Sequence, residues 1–275
     1  MDKIRQIFRE TIDFFYQLYV NRRLISTLSL RDFEKSYIHN FFGLIWAMAD
    51  PLAFVVILYL VFGARYGNTN PEKGSFVLYL ITGYIAFNLF TDTLNGMTTC
   101  IQEHSFLLKR VNFRVAVLPI VTMVSHLMVH GIVLGITMIV LIINHVYPSF
   151  YWFQTLYYIF ALSALMISVG WLTSSVYLFF PDIKNILSIV TRMMFFLTPI
   201  FWNMHGLPPN SQLLLKFNPI FYIVNGYRDS LTKDQGFWTH PALTVYFWSV
   251  CLIVLIAGVM VFKKLRPHFA DVAIQ

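Results

Sequence analysis

Six apolar runs, each close to the length of a membrane-spanning helix, dominate this sequence of 275 residues. A helix crosses the hydrocarbon core of a bilayer with about 20 mostly apolar residues. Hydrophobic residues make up 57% of the chain and charged residues only 12%, too little polar surface to coat a soluble globule. The sequence therefore predicts an all-α integral membrane protein with six transmembrane helices. The runs lie near residues 42–63, 76–95, 115–143, 153–178, 187–203 and 243–262.

The distribution of Lys and Arg predicts how these spans are oriented, because basic residues close to a span stay on the cytoplasmic side. The first 30 residues are charged and contain no signal-peptide core, so we expect a cytoplasmic N-terminus. Six crossings then place the C-terminus on the same side. Of the 20 basic residues, only Arg65, Lys73, Lys216, Arg228 and Lys233 fall on outer segments. The net charge of +7 fits contact with anionic headgroups or an acidic partner and does not require nucleic acid.

The chain divides into a cytoplasmic lead-in, residues 1–40, and a six-span domain, residues 41–275. In the lead-in, apolar residues from Ile4 to Tyr19 recur at helical spacing and predict an amphipathic helix. Such a helix lies on the inner membrane surface, and the same apolar face also suits packing on a partner protein.

The outer segment between the fifth and sixth spans, residues 204–240, is too apolar for a free loop. Pro208, Pro209, Pro219 and Gly226 interrupt it too often for another full crossing. We expect short re-entrant helices here. Irregular backbone at membrane depth is tolerated only where protein or a water-filled path covers it, so this segment is expected to border a conduit.

Motifs for enzymatic chemistry are missing from the sequence. It contains no Gly-x4-Gly-Lys-Ser/Thr loop, no Gly-x-Ser-x-Gly elbow and no His-Glu-x-x-His helix. We therefore predict a chain that is not an enzyme and holds no cofactor, with any energy supplied by another polypeptide. The two cysteines, Cys100 and Cys251, are interpreted as packing residues.

His126 and His130 lie four residues apart in the third span and share one helix face. A metal site or a proton relay would need a carboxylate as well, and none lies nearby in the sequence. We favour two hydrogen-bonded packing histidines and predict no metal site. Gly131 and Gly135 form a small-x-x-x-small pair that indicates close helix contact.

Two acidic residues, Asp50 and Asp92, fall within the predicted spans. Asp50 precedes Pro51, which is expected to kink the first span. A proton-coupled secondary carrier would be expected to use such carboxylates, and their scarcity disfavours that function.

Aromatic residues reach 17% of the chain, more than two interfacial belts require. Most are expected to pack or to lie at the membrane interfaces, but their apolar faces also suit contact with sugar rings. The candidates for a substrate path are the aromatic residues of the outer segment. They are Phe201, Trp202, Phe217, Phe221, Tyr222 and Tyr227.

Several motifs resemble the ABC-2 type permeases that export lipid-linked polysaccharides, and the resemblance covers nearly the whole chain. The first is the run RDFE at 31–34, followed by Tyr37, FGLIWA at 42–47, Pro51 and LVFG at 60–63. The others are EHSFLLKRVNFRVAVLP at 103–119, LTPIFW at 197–202 and FNP at 217–219. Two branches compete, one exporting O-antigen or capsule and one exporting wall teichoic acid. VNGYRDSL at 224–231 and FKKLRPHFADV at 262–272 resemble the teichoic acid branch more closely.

The resemblance implies a type V exporter-like fold in the bacterial cytoplasmic membrane. It also implies a homodimer with two cytoplasmic subunits that bind ATP and Mg²⁺, and a substrate linked to undecaprenyl pyrophosphate. The inner loop 96–114 would couple the permease to ATP hydrolysis. The implied coupling residues are Glu103, His104, Phe106, Leu107, Lys109, Arg110, Phe113 and Arg114. The candidates for pyrophosphate binding are Arg22, Arg23, Arg31 and Lys35, because guanidinium groups match phosphate oxygens.

Overall fold

The computed structural model describes residues 19–35, 45–66, 76–108, 113–202 and 207–272, together with Tyr16, Gly43 and Met204. Within these residues the chain is helical and contains no β-strand. The longer helices are α1 (Arg22–Phe33), α2 (Ile45–Tyr66), α3 (Phe76–Glu103), α5 (Leu118–Ile143), α6 (Gln154–Phe179), α7 (Ile183–Leu197) and α10 (Pro241–Leu265). The shorter ones are α4 (Ser105–Leu108), α8 (Pro209–Lys216), α9 (Pro219–Arg228) and α11 (Phe269–Val272).

Four helical segments in the described part of the chain are long and apolar enough to cross a membrane. They are Phe76–Glu103, Val115–Ile143, Phe150–Phe179 and Pro241–His268. The all-helical membrane fold is therefore confirmed, whereas the count of six spans stays a prediction. Helix α2 has 22 residues and continues through Pro51, and its described side chains include the apolar run Pro51–Val61.

The fifth predicted span, 187–203, differs from the helix that the chain forms. Helix α7 begins earlier and has 15 residues. It ends at Leu197 because Thr198 is extended, with φ −92° and ψ 130°. Pro199 favours that conformation in the residue before it, so the proline marks the end of the helix.

The helices enclose two hydrophobic clusters. Helix α3 lies at the centre and packs against α2, α5, α6 and α9, while α10 packs along α6. The larger cluster fills this centre. The smaller one lies where α1, α4 and α11 meet the ends of α3, α6 and α10, which we call the α1 end of the bundle. The opposite end, with α8 and α9, is called the α9 end.

Helix α1 packs directly on the bundle. Leu28 and Ser29 are buried against α5, and the Ser29 hydroxyl donates to the Val121 carbonyl at 2.9 Å. This contact joins the predicted lead-in to the membrane domain. Residues 1–15, which carry most of the predicted amphipathic helix, lie outside the described residues.

The segment between α7 and α10 contains the two short helices α8 and α9, as the prolines predicted. Pro209 and Pro219 each occupy a first-turn position, where the missing N–H costs nothing. The Asn218 side chain caps α9 by accepting from the Ile220 amide at 2.9 Å. Helix α9 is buried along most of its length against α3, α6 and α10.

Candidate coupling and transport sites

The α9 end of the bundle is held by Arg228, which is fully buried. Its guanidinium donates to the carbonyls of Pro199 at 2.7 Å, Ile200 at 2.9 Å and Tyr79 at 3.3 Å. The Tyr79 hydroxyl donates to Pro199 as well, at 3.2 Å. The sequence predicts that Arg228 lies on an outer segment, and the structure shows it to be a buried packing residue. Two of these carbonyls, those of Pro199 and Ile200, belong to the segment that follows α7, and the third belongs to the first turn of α3.

A network of hydroxyl groups connects α9 to α6 and α10. The Tyr222 hydroxyl lies 3.0 Å from that of Tyr157 and 3.1 Å from that of Thr244. The Trp248 indole donates to Tyr157 at 3.0 Å. These bonds fix α9 between two long helices.

Three of the six aromatic residues predicted for the substrate path are packed inside the protomer. Phe221, Tyr222 and Tyr227 are each at most 5% exposed, so in this conformation they do not line an open path. Their position follows from the burial of α9, which hydropathy and prolines do not reveal. Phe217 is exposed, and Phe201 and Trp202 are partly exposed.

An open groove of about 330 Å³ lies between α2, α3 and α7. Phe54 of α2 stacks on Tyr84 of α3, with ring centroids 4.7 Å apart. Phe195 of α7 meets Phe54 edge to face at 5.4 Å and Phe201 face to face at 5.6 Å. Aromatic rings therefore connect one of the predicted path residues to the groove. The groove is lined by Phe54, Tyr84, Phe87, Asn88, Thr91, Thr191, Arg192, Phe195 and Phe196.

Sequence reasoning missed most of this groove because its residues come from three helices. A signal was present on α3, where Tyr84, Phe87, Asn88 and Thr91 are spaced i, i+3, i+4 and i+7 and so share one face. This face carries an amide and a hydroxyl beside two aromatic rings. Polar side chains within an apolar run indicate that the face meets protein or a cavity as well as lipid.

The paired histidines of α5 have hydrogen-bond partners, as the packing interpretation requires. His126 Nδ1 donates to the Thr122 carbonyl at 2.8 Å, and His130 Nε2 lies 2.8 Å from the Tyr227 hydroxyl. Both line a cavity of about 20 Å³ that Asn88 and Asp92 also border. The fold thus brings a carboxylate to the histidines that is distant in sequence. Asp92 accepts from the Asn88 amide at 2.8 Å.

The predicted coupling segment forms a hydrogen-bonded junction at the α1 end. His104 is buried between α3 and α4, where its Nδ1 donates to the Cys100 carbonyl at 2.9 Å. Its Nε2 lies 3.2 Å from the Asp32 carboxylate of α1. Burial acts to lower the pKa of His104, but the hydrogen bond and the charge of Asp32 outweigh it and raise the pKa above its usual value.

The other predicted coupling residues surround this junction. Leu107 is buried in the smaller cluster, with Phe113 packed against it. Phe106 is 58% exposed and forms an apolar projection on the surface. Glu103 is exposed and accepts from the Thr99 hydroxyl at 2.7 Å. Arg114 is partly buried, and Lys109 and Arg110 lie outside the described residues.

All four basic residues predicted to meet a pyrophosphate are exposed on or just after α1. Arg22 stacks on the Tyr19 ring at 4.1 Å and also donates to the Tyr19 carbonyl. Arg23, Arg31 and Lys35 extend from the same segment. The Asp50 side chain lies outside the described residues.

An apolar helical bundle with an open, aromatic groove between α2, α3 and α7 and a buried polar junction at one end defines a multi-pass membrane protein. Residues 23–232 match the ABC-2 type transporter family. That match spans well over half of the sequence, and the chain belongs to this family. Members are the membrane components of transporters that work with ATP-binding subunits.

The relatives with assigned functions are similar over nearly their whole length. An O-antigen export system permease protein of Klebsiella pneumoniae is 23% identical over 255 residues, covering 90% of this chain and 94% of its own. A polysialic acid transport protein of Escherichia coli is 23% identical over 250 residues, covering 89% and 94%. A capsule polysaccharide export inner-membrane protein of Neisseria meningitidis is 25% identical over 263 residues, covering 91% and 95%.

Proposed function

We propose that this chain is the permease subunit of an ABC transporter that exports an O-antigen or capsule polysaccharide across the bacterial cytoplasmic membrane. The aromatic groove between α2, α3 and α7 carries the proposal. Its rings offer apolar faces to the C–H groups of sugars, and its amide, hydroxyl and guanidinium groups suit sugar hydroxyls. The full-length similarity to polysaccharide exporters supports the same class of substrate.

The proposal does not retain wall teichoic acid as the polymer. In the motif that favoured it, Tyr227 and Arg228 are fully buried packing residues. In the tail, Phe262 and Phe269 pack edge to face at 5.4 Å in the smaller cluster. Residues with such contacts stabilise the packing of the bundle, so their identity does not indicate which polymer is transported.

ATP hydrolysis in separate cytoplasmic subunits that bind ATP and Mg²⁺ would drive export. The exposed Phe106 of α4 suits an apolar pocket on such a subunit, and the adjacent Leu107 and His104 connect α4 to the buried cluster and to α1. A displacement of α4 would therefore be transmitted to α1 and α3 together. Under this proposal the α1 end and both termini would face the cytoplasm.

A second copy of the chain would complete the path. The groove is bounded by α2, α3 and α7 and is otherwise open, and α7 exposes most of its surface. Two copies facing each other across α2 and α7 would enclose the two grooves between them. Arg22, Arg23, Arg31 and Lys35 would attract the lipid pyrophosphate at the cytoplasmic headgroup level.

The experiment is transport by the complete complex in sealed vesicles. The permease is co-expressed with its ATP-binding subunit, purified and reconstituted with lipid-linked polymer. We expect polymer to become accessible on the far side only with ATP and Mg²⁺, and a proton ionophore to have no effect. A hydrolysis-deficient ATP-binding subunit is the matched control. Transport driven by a proton gradient without ATP would instead establish a secondary carrier.

A further inference from the structure

Arg192 occupies an unusual position in the bundle. It is exposed on α7 and lines the groove with Asn88 and Thr91 of α3. These two residues lie at the middle of the 28-residue helix α3, one of the candidate membrane spans. Arg192 is therefore level with the centre of the membrane domain. In the described part of the chain, its guanidinium has a hydrogen bond to the Ser188 hydroxyl at 3.4 Å and forms no ion pair with a carboxylate.

An arginine at this depth needs a polar environment. Placing Arg at the centre of a membrane helix costs about 2.5–3.5 kcal/mol on insertion scales, so such residues face a cavity or a partner. The groove provides that cavity, because it is open and is lined by Asn88, which carries an amide, and by three residues that carry hydroxyls, Tyr84, Thr91 and Thr191.

We propose that Arg192 forms an anion subsite within the groove, which binds the pyrophosphate of the lipid-linked substrate as it passes. The inference rests on the proposed export function and adds to it a binding site for the charged part of the substrate. A guanidinium presents paired donors that match phosphate oxygens, and no carboxylate among the described residues pairs with that of Arg192. Asp92, the nearest acid along α3, borders the separate histidine cavity and accepts from Asn88.

The dimensions of the groove fit this ligand. A volume of about 330 Å³ is at the lower end of the range of small-ligand sites, and the groove is open, so a pyrophosphate and its first sugar would extend along it. The rings of Phe54, Tyr84 and Phe195 would contact the sugar while Arg192 holds the charge. Sugar and phosphate would then be recognised by adjacent parts of one surface.

The first experiment measures ATP hydrolysis by the reconstituted complex during titration with polyprenyl pyrophosphate that carries a short oligosaccharide. We expect Arg192→Gln to raise the half-maximal concentration about tenfold or more, as for loss of a charge-assisted contact, and Arg192→Lys to raise it less. Lys184→Gln, which removes a cation from the exposed start of the same helix, is the matched control and should behave like the wild type.

Outcomes separate the two proposals. If the wild-type complex does not respond to the lipid-linked sugar, the export function itself is wrong. If the wild type responds and Arg192→Gln responds identically, the export function stands and the subsite is wrong. Titration with a free acidic oligosaccharide, which has no pyrophosphate, tests whether Arg192 binds the charge of the sugar or that of the pyrophosphate. A defect of Arg192→Gln confined to that ligand would overturn the assignment to pyrophosphate.

A second experiment tests whether the groove is hydrated at this depth. We expect Thr91→Cys to react with a membrane-impermeant thiol reagent and to be protected by polyprenyl pyrophosphate. Ile253→Cys, at the middle of α10 and 66% exposed, is the control and should be unreactive. The natural Cys100 and Cys251 are buried and give a low background. Equal lack of reaction at both positions would place Arg192 in lipid and overturn the proposal.

Discussion

The guanidinium of Arg228 stacks on the ring of Tyr79, with its central carbon 3.6 Å from the ring centroid. The two residues are 149 positions apart and join the end of α9 to the start of α3. Because the same guanidinium also binds the carbonyls of Pro199 and Ile200, three separate parts of the chain meet at one side chain. This contact sets where α9 lies between the long helices.

Replacing Arg228 with Lys should therefore destabilise the protein by about 2–4 kcal/mol, because an ammonium cannot match three carbonyls and a ring together. The measurement is the thermal unfolding midpoint of the purified permease in detergent. Arg23→Lys, at an exposed position on α1, is the control and should leave the midpoint unchanged. An equally mild effect at both positions would contradict the anchoring role of Arg228.

Gly226 lies against the ring of Tyr158, where an added Cβ would overlap the aromatic carbons. We expect Gly226→Ala to lower the unfolding midpoint, because Tyr158 is buried and has no room to move. Gly131→Ala is the matched control, since nothing lies within 4 Å of its Cβ position. There alanine should be neutral or stabilise the helix by about 0.5–1 kcal/mol.

The same control tests the small-x-x-x-small pair of α5. Gly131 and Gly135 are exposed and have no close neighbour in the part of the chain that the structure describes, so the helix contact that the pair predicts is not made among these residues. If Gly131→Ala weakens association of two permease chains without changing the unfolding midpoint, that contact lies between protomers.

Apolar length and composition were enough to predict a helical membrane bundle, and the prolines predicted short helices after α7. Burial could not be predicted in the same way. Arg228 and Tyr227 belong to the outer segment that the sequence predicts to border a conduit, and their burial depends on how α9 packs against α3 and α6. Hydropathy reports whether a helix suits lipid or protein surroundings but not which face meets another helix.

Contacts between distant parts of the chain account for the parts of the site that were missed. Asp32 and His104 are 72 residues apart, and neither has a pattern that indicates the other. The groove similarly combines Phe54, Tyr84 and Phe195 from three helices. The sequence placed His104 in a coupling segment only through a resemblance, and its hydrogen bond to α1 emerges from the fold.

The junction of Asp32 and His104 should make the docking of α1 depend on pH. Since Nδ1 of His104 already donates to the Cys100 carbonyl, Nε2 donates to Asp32 only when the ring is protonated. The raised pKa of His104 means that this stabilisation is fully present below the usual histidine pKa of about 6.5. It is lost as the pH rises through the higher pKa of the folded state.

Hydrogen exchange of the α1 amides, corrected for the intrinsic effect of pH, measures this dependence. Protection should fall in the wild type as the pH rises above the usual histidine pKa of about 6.5 and should stay low in Asp32→Asn. His145→Asn, in a turn at the other end of α5, is the control and should keep the wild-type profile. A profile unaltered by Asp32→Asn would exclude this ion pair as its source.

Polymer transport should depend on the exposed ring of Phe196 in the groove. Phe196 lines the groove and is 65% exposed, so Phe196→Ala removes a sugar-contacting surface at little cost in packing. We expect polymer transport to fall about tenfold with an unchanged unfolding midpoint. Phe160→Ala, on α6 with a similar exposure of 63%, is the control and should transport normally. Equal losses from both variants would indicate a general effect of membrane-facing aromatic residues.

Phe106 should be the apolar contact for the ATP-binding subunit, since it is exposed while its neighbour Leu107 is buried. Phe106→Asp should reduce co-purification of that subunit, because a carboxylate would have to be desolvated in an apolar pocket. The permease alone should unfold at the wild-type temperature, as expected for a surface change. Phe150→Asp, on an 82% exposed residue beyond the other end of α5, is the matched control and should retain the subunit. Full association of Phe106→Asp would move the coupling contact away from α4, and the junction of His104 and Asp32 would then stabilise the bundle without receiving the force of ATP binding.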